Sequence, residues 1–115
     1  MPVNPDHLKP RWFQILLALA SEDLHGLAIM KAVLEQTQGH MRLWPAMLYG
    51  SIKQMTEAGL IVEQESDADT SDADRRRFHG ITDKGRQALS SEVERLAGYI
   101  RLAEERQVID GSVSA

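Results

Sequence analysis

Apolar residues recur at helical spacing in four stretches of the chain, and these stretches predict four helices. In residues 9–20 the apolar positions are so dense that the helix should be buried on most of its sides. A second helix, from residue 24 or 25 to 38, and a third, from Pro45 to a stop at Gly59, repeat apolar residues every three or four positions. The fourth helix takes Thr82 as its cap and repeats apolar residues as far as residue 103.

Between the third and fourth helices the pattern changes to that of a β-hairpin. Residues 60–62 are β-branched or aliphatic, residues 66–74 are small and acidic, and residues 76–81 suit a returning strand. Three helices, a hairpin with a long acidic tip and a last long helix are typical of the winged helix-turn-helix plan. In that plan the third helix enters the major groove of DNA, and the hairpin lies along the backbone.

This order predicts a mainly α fold with a small β-hairpin and a C-terminal dimerisation helix. We expect a DNA-binding domain over residues 9–81, a dimerisation helix over 82–107, and flexible termini at 1–8 and 108–115. The last helix carries an apolar stripe that no later element can cover, so a second copy of the chain should bury it. The stripe consists of Leu89, Val93, Leu96 and Ile100.

The formal net charge of −4 first argues against a nucleic-acid partner, but the charges are segregated along the chain. Six acidic residues lie between Glu63 and Asp74, and without them the 17 acids fall to 11, against 13 Lys and Arg. Arg75, Arg76 and Arg77 follow at once. They occupy the hairpin position that meets phosphates, although an arginine run is more often a solvated strand edge.

The third helix holds the sharpest site hypothesis. Tyr49 and Lys53 lie four residues apart and share a face, which suits phosphate contacts. Gln54 could read an adenine. Gly50 and Ser51 are small enough to let the helix backbone come close to DNA. Arg42 lies just before the helix and is a further candidate for DNA contact. The pattern alone leaves DNA contact and an ordinary solvated face equally open.

Other chemistry finds little support in the sequence. The chain has no cysteine, and none of its four histidines forms a pair at ligand spacing, so we expect no metal and no cofactor. His25, at a helix start, is more plausible as a cap. A phosphate loop and a nucleophile elbow are missing, so we expect no enzyme. No signal peptide or membrane span is visible, which predicts a cytoplasmic protein without a membrane partner.

Three strings resemble the PadR-type transcriptional regulators: ILLALASEDLHGLAIMKAV, LWPAMLYGSIKQMTEAGLI and RRRFHGITDKGRQAL. The resemblance runs over roughly residues 12–106 and implies a homodimer that binds double-stranded operator DNA, usually as a repressor. It also implies release by a small phenolic or drug-like compound, and a single C-terminal helix makes this chain a short-form member. The chain departs from the family at three positions. Met47 stands where the family often has a small hydroxyl residue, and Gly50 and Ser51 stand where larger or basic residues are common.

Two questions stay open at this level. The net negative charge and the few base-reading residues of the third helix also fit a winged-helix protein-interaction module that has lost DNA binding. A small aromatic effector would find its pocket at the dimer seam, between the first and last helices. Trp12, Phe13 and Trp44 could line such a pocket, although Trp12 and Phe13 are better explained as core.

Overall fold

The computed structural model of the protein describes residues 8–65 and 77–110. The predictions of flexible ends therefore lie mostly outside the described residues, as do the acidic tip of the hairpin, Arg75 and Arg76. The elements, in chain order, are α1 (Pro10–Leu19), β1 (Leu24–His25), α2 (Gly26–Gln36), α3 (Pro45–Glu57), β2 (Ile61–Glu65), β3 (Arg77–Ile81) and α4 (Asp83–Glu105).

The three strands form one antiparallel sheet in the order β1-β3-β2. Strands β2 and β3 are the predicted hairpin, with Ile61 opposite Ile81 and Glu65 opposite Arg77. The sequence did not predict β1, because residues 24 and 25 fit the start of the second helix equally well. They become a strand by pairing with β3, more than fifty residues away, and local pattern does not show such a contact.

The core lies where α1, α2 and α3 meet one side of the sheet and the first turns of α4. Its largest fully buried side chains come from all three helices and from β2, and they are Ile15, Leu16, Leu19, Ile29, Val33, Leu48, Met55 and Ile61. Trp12 and Phe13 are half-buried against this core, as the sequence predicts. Leu17 is exposed, so α1 is less enclosed than its composition suggests.

The starts of the helices follow the predicted signals. His25 caps α2, because its Nδ1 accepts a hydrogen bond from the Ala28 N–H at 3.3 Å. Pro45 lies at the start of α3. Helix α2 ends at Gln36 rather than at residue 38, since Gln38 and Gly39 have φ of +53° and +83°. A right-handed helix does not continue through that left-handed region.

One junction fixes the hairpin and α4 relative to α3. Thr82 caps α4 by accepting a hydrogen bond from the Gly85 N–H, and its own hydroxyl lies 2.6 Å from the Gly59 carbonyl oxygen. Gly59 ends α3 with φ of +80°. At Gly85, helix α4 comes so close to the backbone of Leu60 that a Cβ would collide with the Leu60 carbonyl oxygen. The architecture is the winged helix-turn-helix that the sequence predicts, followed by one long helix.

We expect Gly85→Ala to destabilise the fold by about 1–3 kcal/mol, because the added methyl group meets backbone that must move. Gly98→Ala in the same helix is the matched control, since its Cβ would meet only Arg101 Nη2 at 3.9 Å. The control should gain up to about 1 kcal/mol from helix propensity. Urea unfolding at one protein concentration compares the two, and equal effects would contradict the close approach at Gly85.

Candidate nucleic-acid interface

Helix α3 turns one side to the core and the other to solvent. Leu48, Ile52 and Met55 are buried, as predicted. Gly50, Lys53 and Gln54 are exposed, and Tyr49 is 51% exposed. The predicted recognition residues, apart from Ser51, therefore lie on the accessible side of the helix.

Ser51 is the exception, and its assignment to the DNA-facing set is wrong. Its side chain is only 2% exposed, and its Oγ accepts a hydrogen bond of 2.9 Å from the Arg11 Nε. Position 51 lies on the same side of the helix as Leu48 and Met55, three before and four after it. Ser51 therefore joins α3 to α1, and Arg11 is a positioning residue that the sequence alone did not indicate.

A cleft of about 680 Å³ separates α3 from the sheet and from the start of α2. Tyr49, Lys53 and Thr56 line it on the α3 side, and Glu63, Arg77 and His79 line it on the sheet side. Gly26 closes one end, where a Cβ would collide with the Tyr49 hydroxyl. The absence of a side chain at Gly26 thus lets the Tyr49 ring lie over the start of α2.

The charges around the cleft are mixed. Arg77 forms an ion pair with Glu63 across the hairpin, with Nη1 and Oε2 3.3 Å apart. Both side chains are well exposed, so the pair adds little stability and Arg77 can exchange partners. Strand alternation puts Arg77 and Arg76 on opposite sides of the hairpin without showing which side faces DNA. The structure places Arg77 at the cleft.

His79 is a cleft residue that the sequence reasoning missed. It lies on the central strand and is 4% exposed, and its Nδ1 has no hydrogen-bond partner within the described residues. Burial lowers the pKa of His79, the Glu63 carboxylate opposes that effect, and the Arg77 guanidinium adds to it. The only sequence signal that could have placed His79 beside Arg77 is the alternation of side chains along the strand. Using that signal requires knowing where the strand begins.

The segment before α3 presents a second exposed group. Trp44 is 62% exposed, and the Arg42 guanidinium lies over its ring with Cζ 5.4 Å from the centroid. The contact holds both side chains at the entry to α3. Trp44 therefore belongs neither to the core nor to a closed pocket within one chain.

The apolar stripe of α4 divides into two parts. Leu89 is 8% exposed and belongs to the core of the single chain, so its assignment to a dimer surface is wrong. The early turns of α4 pack against α1 and β3, which cover that position. Val93, Leu96 and Ile100 are exposed, and Tyr99, three residues after Leu96, is exposed beside them.

Residues 8–65 and 77–110 also show whether the described part of the chain has a metal site or a membrane span. No group of three histidine, aspartate or glutamate side chains there is arranged to hold a metal ion. None of the helices in the same residues has both the length and the hydropathy that crossing a bilayer requires.

An exposed third helix beside a hairpin, on a trihelical core, is the architecture of winged-helix transcriptional regulators. The chain matches the model of the PadR-like family of transcriptional regulators over residues 15–91. The match spans more than half of the sequence, and the protein belongs to that family. The family consists of regulators rather than enzymes.

Solved structures share the fold at low sequence identity. A PadR family transcription regulator from Clostridium difficile superposes with a TM-score of 0.69 at 20% identity, over 88% of this chain and 100% of that chain. A transcriptional regulator from Clostridium thermocellum gives 0.67 at 19%, over 82% and 89%. PadR from Bacillus subtilis, in complex with operator DNA, gives 0.64 at 21%, over 74% and 47%. A comparison with curated proteins gave no match.

We expect the free energy of unfolding to fall as the pH drops below about 6.5, the ordinary pKa of His79. The folded protein resists protonation of His79, whereas the unfolded chain accepts the proton. The stabilising effect of the neutral ring is therefore complete above that pH and declines as the pH falls toward the lower folded pKa, by at most about 1.4 kcal/mol per pH unit.

Urea unfolding of His79→Gln between pH 8 and 5 should show a shallower pH dependence than the parent protein. His40→Gln removes an exposed histidine instead and should keep the parental slope. If the two variants have the same slope, His79 is not the group responsible.

Proposed function

We propose that the protein is a homodimeric DNA-binding transcriptional regulator, acting as a repressor at a double-stranded operator. Residues 9–81 would bind DNA, and residues 82–107 would dimerise. The observation that carries this proposal is the outer face of α3, which exposes Tyr49, Lys53 and Gln54 beside the hairpin cleft. Such a regulator would act where the chromosome lies, which for a bacterial or archaeal cell is the cytoplasm.

The two edges of the cleft suit the path of a DNA backbone. When a third helix lies in the major groove and the hairpin follows the backbone, phosphates pass between them. The Tyr49 hydroxyl and the Lys53 ammonium group can donate to phosphate oxygens from the helix side. Arg77 can do so from the sheet side once it exchanges Glu63 for phosphate.

Base reading would then fall to the remaining exposed positions of α3. The Gln54 amide can pair with an adenine through two hydrogen bonds. Gly50 adds no side chain and meets no other atom within 4 Å at its Cβ position, which allows the backbone to come close to the bases. Arg42 would contact a phosphate just before the helix begins.

The dimer is supported by the exposed part of the α4 stripe. Val93, Leu96, Tyr99 and Ile100 are uncovered in one chain and follow directly on the part that the core covers. A symmetric pair of α4 helices would bury them in both copies at once. Two DNA-binding domains at a fixed distance would then match two half-sites.

A small aromatic effector would act through this dimer. A compound bound at the seam of α1 and α4 would release DNA only if it prefers a different spacing of the two DNA-binding domains. Thermal-shift screening with aromatic compounds, followed by competition with bound DNA, would identify it. Compounds that raise the melting temperature but leave DNA bound would contradict the release.

A protein-interaction module without DNA binding is the second candidate. Its support is the acidic balance of the chain and the carboxylates of Glu57 and Glu63 at the cleft. Measuring DNA affinity against salt concentration separates the two candidates. Binding that weakens steeply with salt supports the regulator, and no binding at low salt supports the interaction module.

Lys53→Ala should weaken binding to operator and random DNA by a similar factor, because a phosphate contact carries no sequence information. Gln54→Ala should instead lower the preference for operator over random DNA by about 1–3 kcal/mol. Fluorescence anisotropy at several salt concentrations measures both. Gln87→Ala, which removes an exposed glutamine of α4 away from the cleft, is the control. Unchanged affinity in both test variants would move recognition to another surface.

Leu96→Arg should yield monomers, because two copies of an unpaired charge would lie in the dimer interface. Tight operator binding should fall with it. Ser91→Arg adds the same charge on the opposite side of α4 and should remain dimeric. Light scattering at micromolar concentration distinguishes the two, and a dimeric Leu96→Arg protein would remove α4 from the interface.

A further inference from the structure

Helix α3 has two edges of different chemistry. The edge over the cleft is polar and consists of Tyr49, Lys53 and Thr56. Met47 does not line the cleft, and it lies about 160° around the helix from Tyr49 at 100° per residue. Gln54 follows Met47 by seven residues and so lies on nearly the same line along the helix.

Met47 is an apolar residue whose side chain is exposed on α3. The Met47 side chain is 45% exposed and lies in the first turn of α3, whereas Met55, the other methionine of this helix, is completely buried. Trp44, directly before the helix, is also exposed. Together Trp44 and Met47 form an apolar surface at the N-terminal end of α3, which we call the entry surface.

The entry surface has a cation beside it. The Arg42 guanidinium lies over the Trp44 ring, and no ion pair of Arg42 is found within the described residues. A cation next to an apolar surface fits a ligand that places a negative charge beside an apolar group. A DNA strand in the major groove does so, since each thymine methyl lies a short distance from a phosphate.

We propose that Met47 reads a thymine through its C5-methyl group, with Arg42 held by Trp44 against the neighbouring phosphate. The inference rests on the proposed DNA-binding function and adds a specificity residue to it. The first residues of a recognition helix are those that reach base edges. The thymine methyl is the apolar feature that the major groove displays, and the unbranched, flexible methionine side chain adapts to such a contact.

The consequence is a thymine requirement in each half-site that does not depend on hydrogen bonding. Replacing that thymine by deoxyuridine removes one methyl group and leaves every hydrogen-bonding group of the base pair in place. Loss of one buried methyl contact should weaken binding about fourfold, and loss at both half-sites about 15-fold. No other substitution in the DNA isolates the methyl group so cleanly.

The experiment begins by selecting binding sites for the full chain from random double-stranded DNA. Each thymine of the selected site is then replaced by deoxyuridine, one position per half-site at a time, and affinities are measured for the parent, Met47→Ala, Met47→Leu and Val62→Ala. Val62 is the matched control, because it is exposed to a similar degree on the sheet face opposite the one that carries Glu63. Melting curves confirm that each variant is folded.

For the parent protein we expect one position per half-site to be sensitive to deoxyuridine. Met47→Ala should bind the thymine site about as weakly as the parent binds the deoxyuridine site, with no further loss on deoxyuridine. Met47→Leu should keep most of the sensitivity, and Val62→Ala should match the parent.

Two results would overturn the inference in different ways. If selected DNA binds but no thymine is sensitive, or if Met47→Ala keeps the parental sensitivity, the methyl contact is not made by Met47 while the DNA-binding function stands. If selection enriches no DNA at all, the proposed function fails and this reading of Met47 fails with it.

Discussion

The packing of α3 against α1 and α2 is the constraint on which the rest of the molecule depends. Leu48, Ile52 and Met55 are buried on one side of the helix. Burying each such side chain stabilises the fold by roughly 1.5–3 kcal/mol, so a rotation of the helix would cost several kcal/mol. The Arg11–Ser51 hydrogen bond fixes the same orientation from α1. The outward direction of Tyr49 and Lys53 follows from this packing.

The hairpin and α4 are positioned relative to α3 by closely packed contacts. Gly85 lies against the Leu60 backbone, and the Thr82 hydroxyl lies at the Gly59 carbonyl, so α4 can start in only one place relative to the end of α3. The strand β3 lies between β1 and β2 and links the hairpin to the start of α2. A hairpin held on both sides has a fixed position beside the helix, and this gives the cleft its shape.

The charge of the cleft would affect how strongly such a protein prefers its operator to random DNA. Lys53 and Arg77 face a region that also contains Glu57 and Glu63. A surface of mixed sign gains less from the release of counterions than a uniformly basic one, and so it binds random DNA less tightly. Discrimination would then rest on contacts with base edges, for which Gln54 and Met47 are the exposed side chains on the other edge of α3.

Local pattern was sufficient for the elements whose signals are local. The helical spacing of Leu48, Ile52 and Met55 and the caps at His25 and Thr82 were predicted, because each depends on residues a few positions apart. The hairpin of β2 and β3 was predicted because each strand has its own local pattern and the two follow each other in the chain. By itself the sequence thus determined the order of the four helices and the hairpin, the winged-helix class and the buried side of α3.

Only the tertiary structure decided which neighbours meet. It paired β1 with β3, buried Ser51 on Arg11, enclosed Leu89 in the core and placed His79 in the cleft. Residues 11 and 51, or 25 and 79, are far apart in the chain, and periodicity contains no information about which distant surfaces come together. Burial depends on what the opposite surface supplies, so the same apolar stripe on α4 is core at Leu89 and exposed at Leu96.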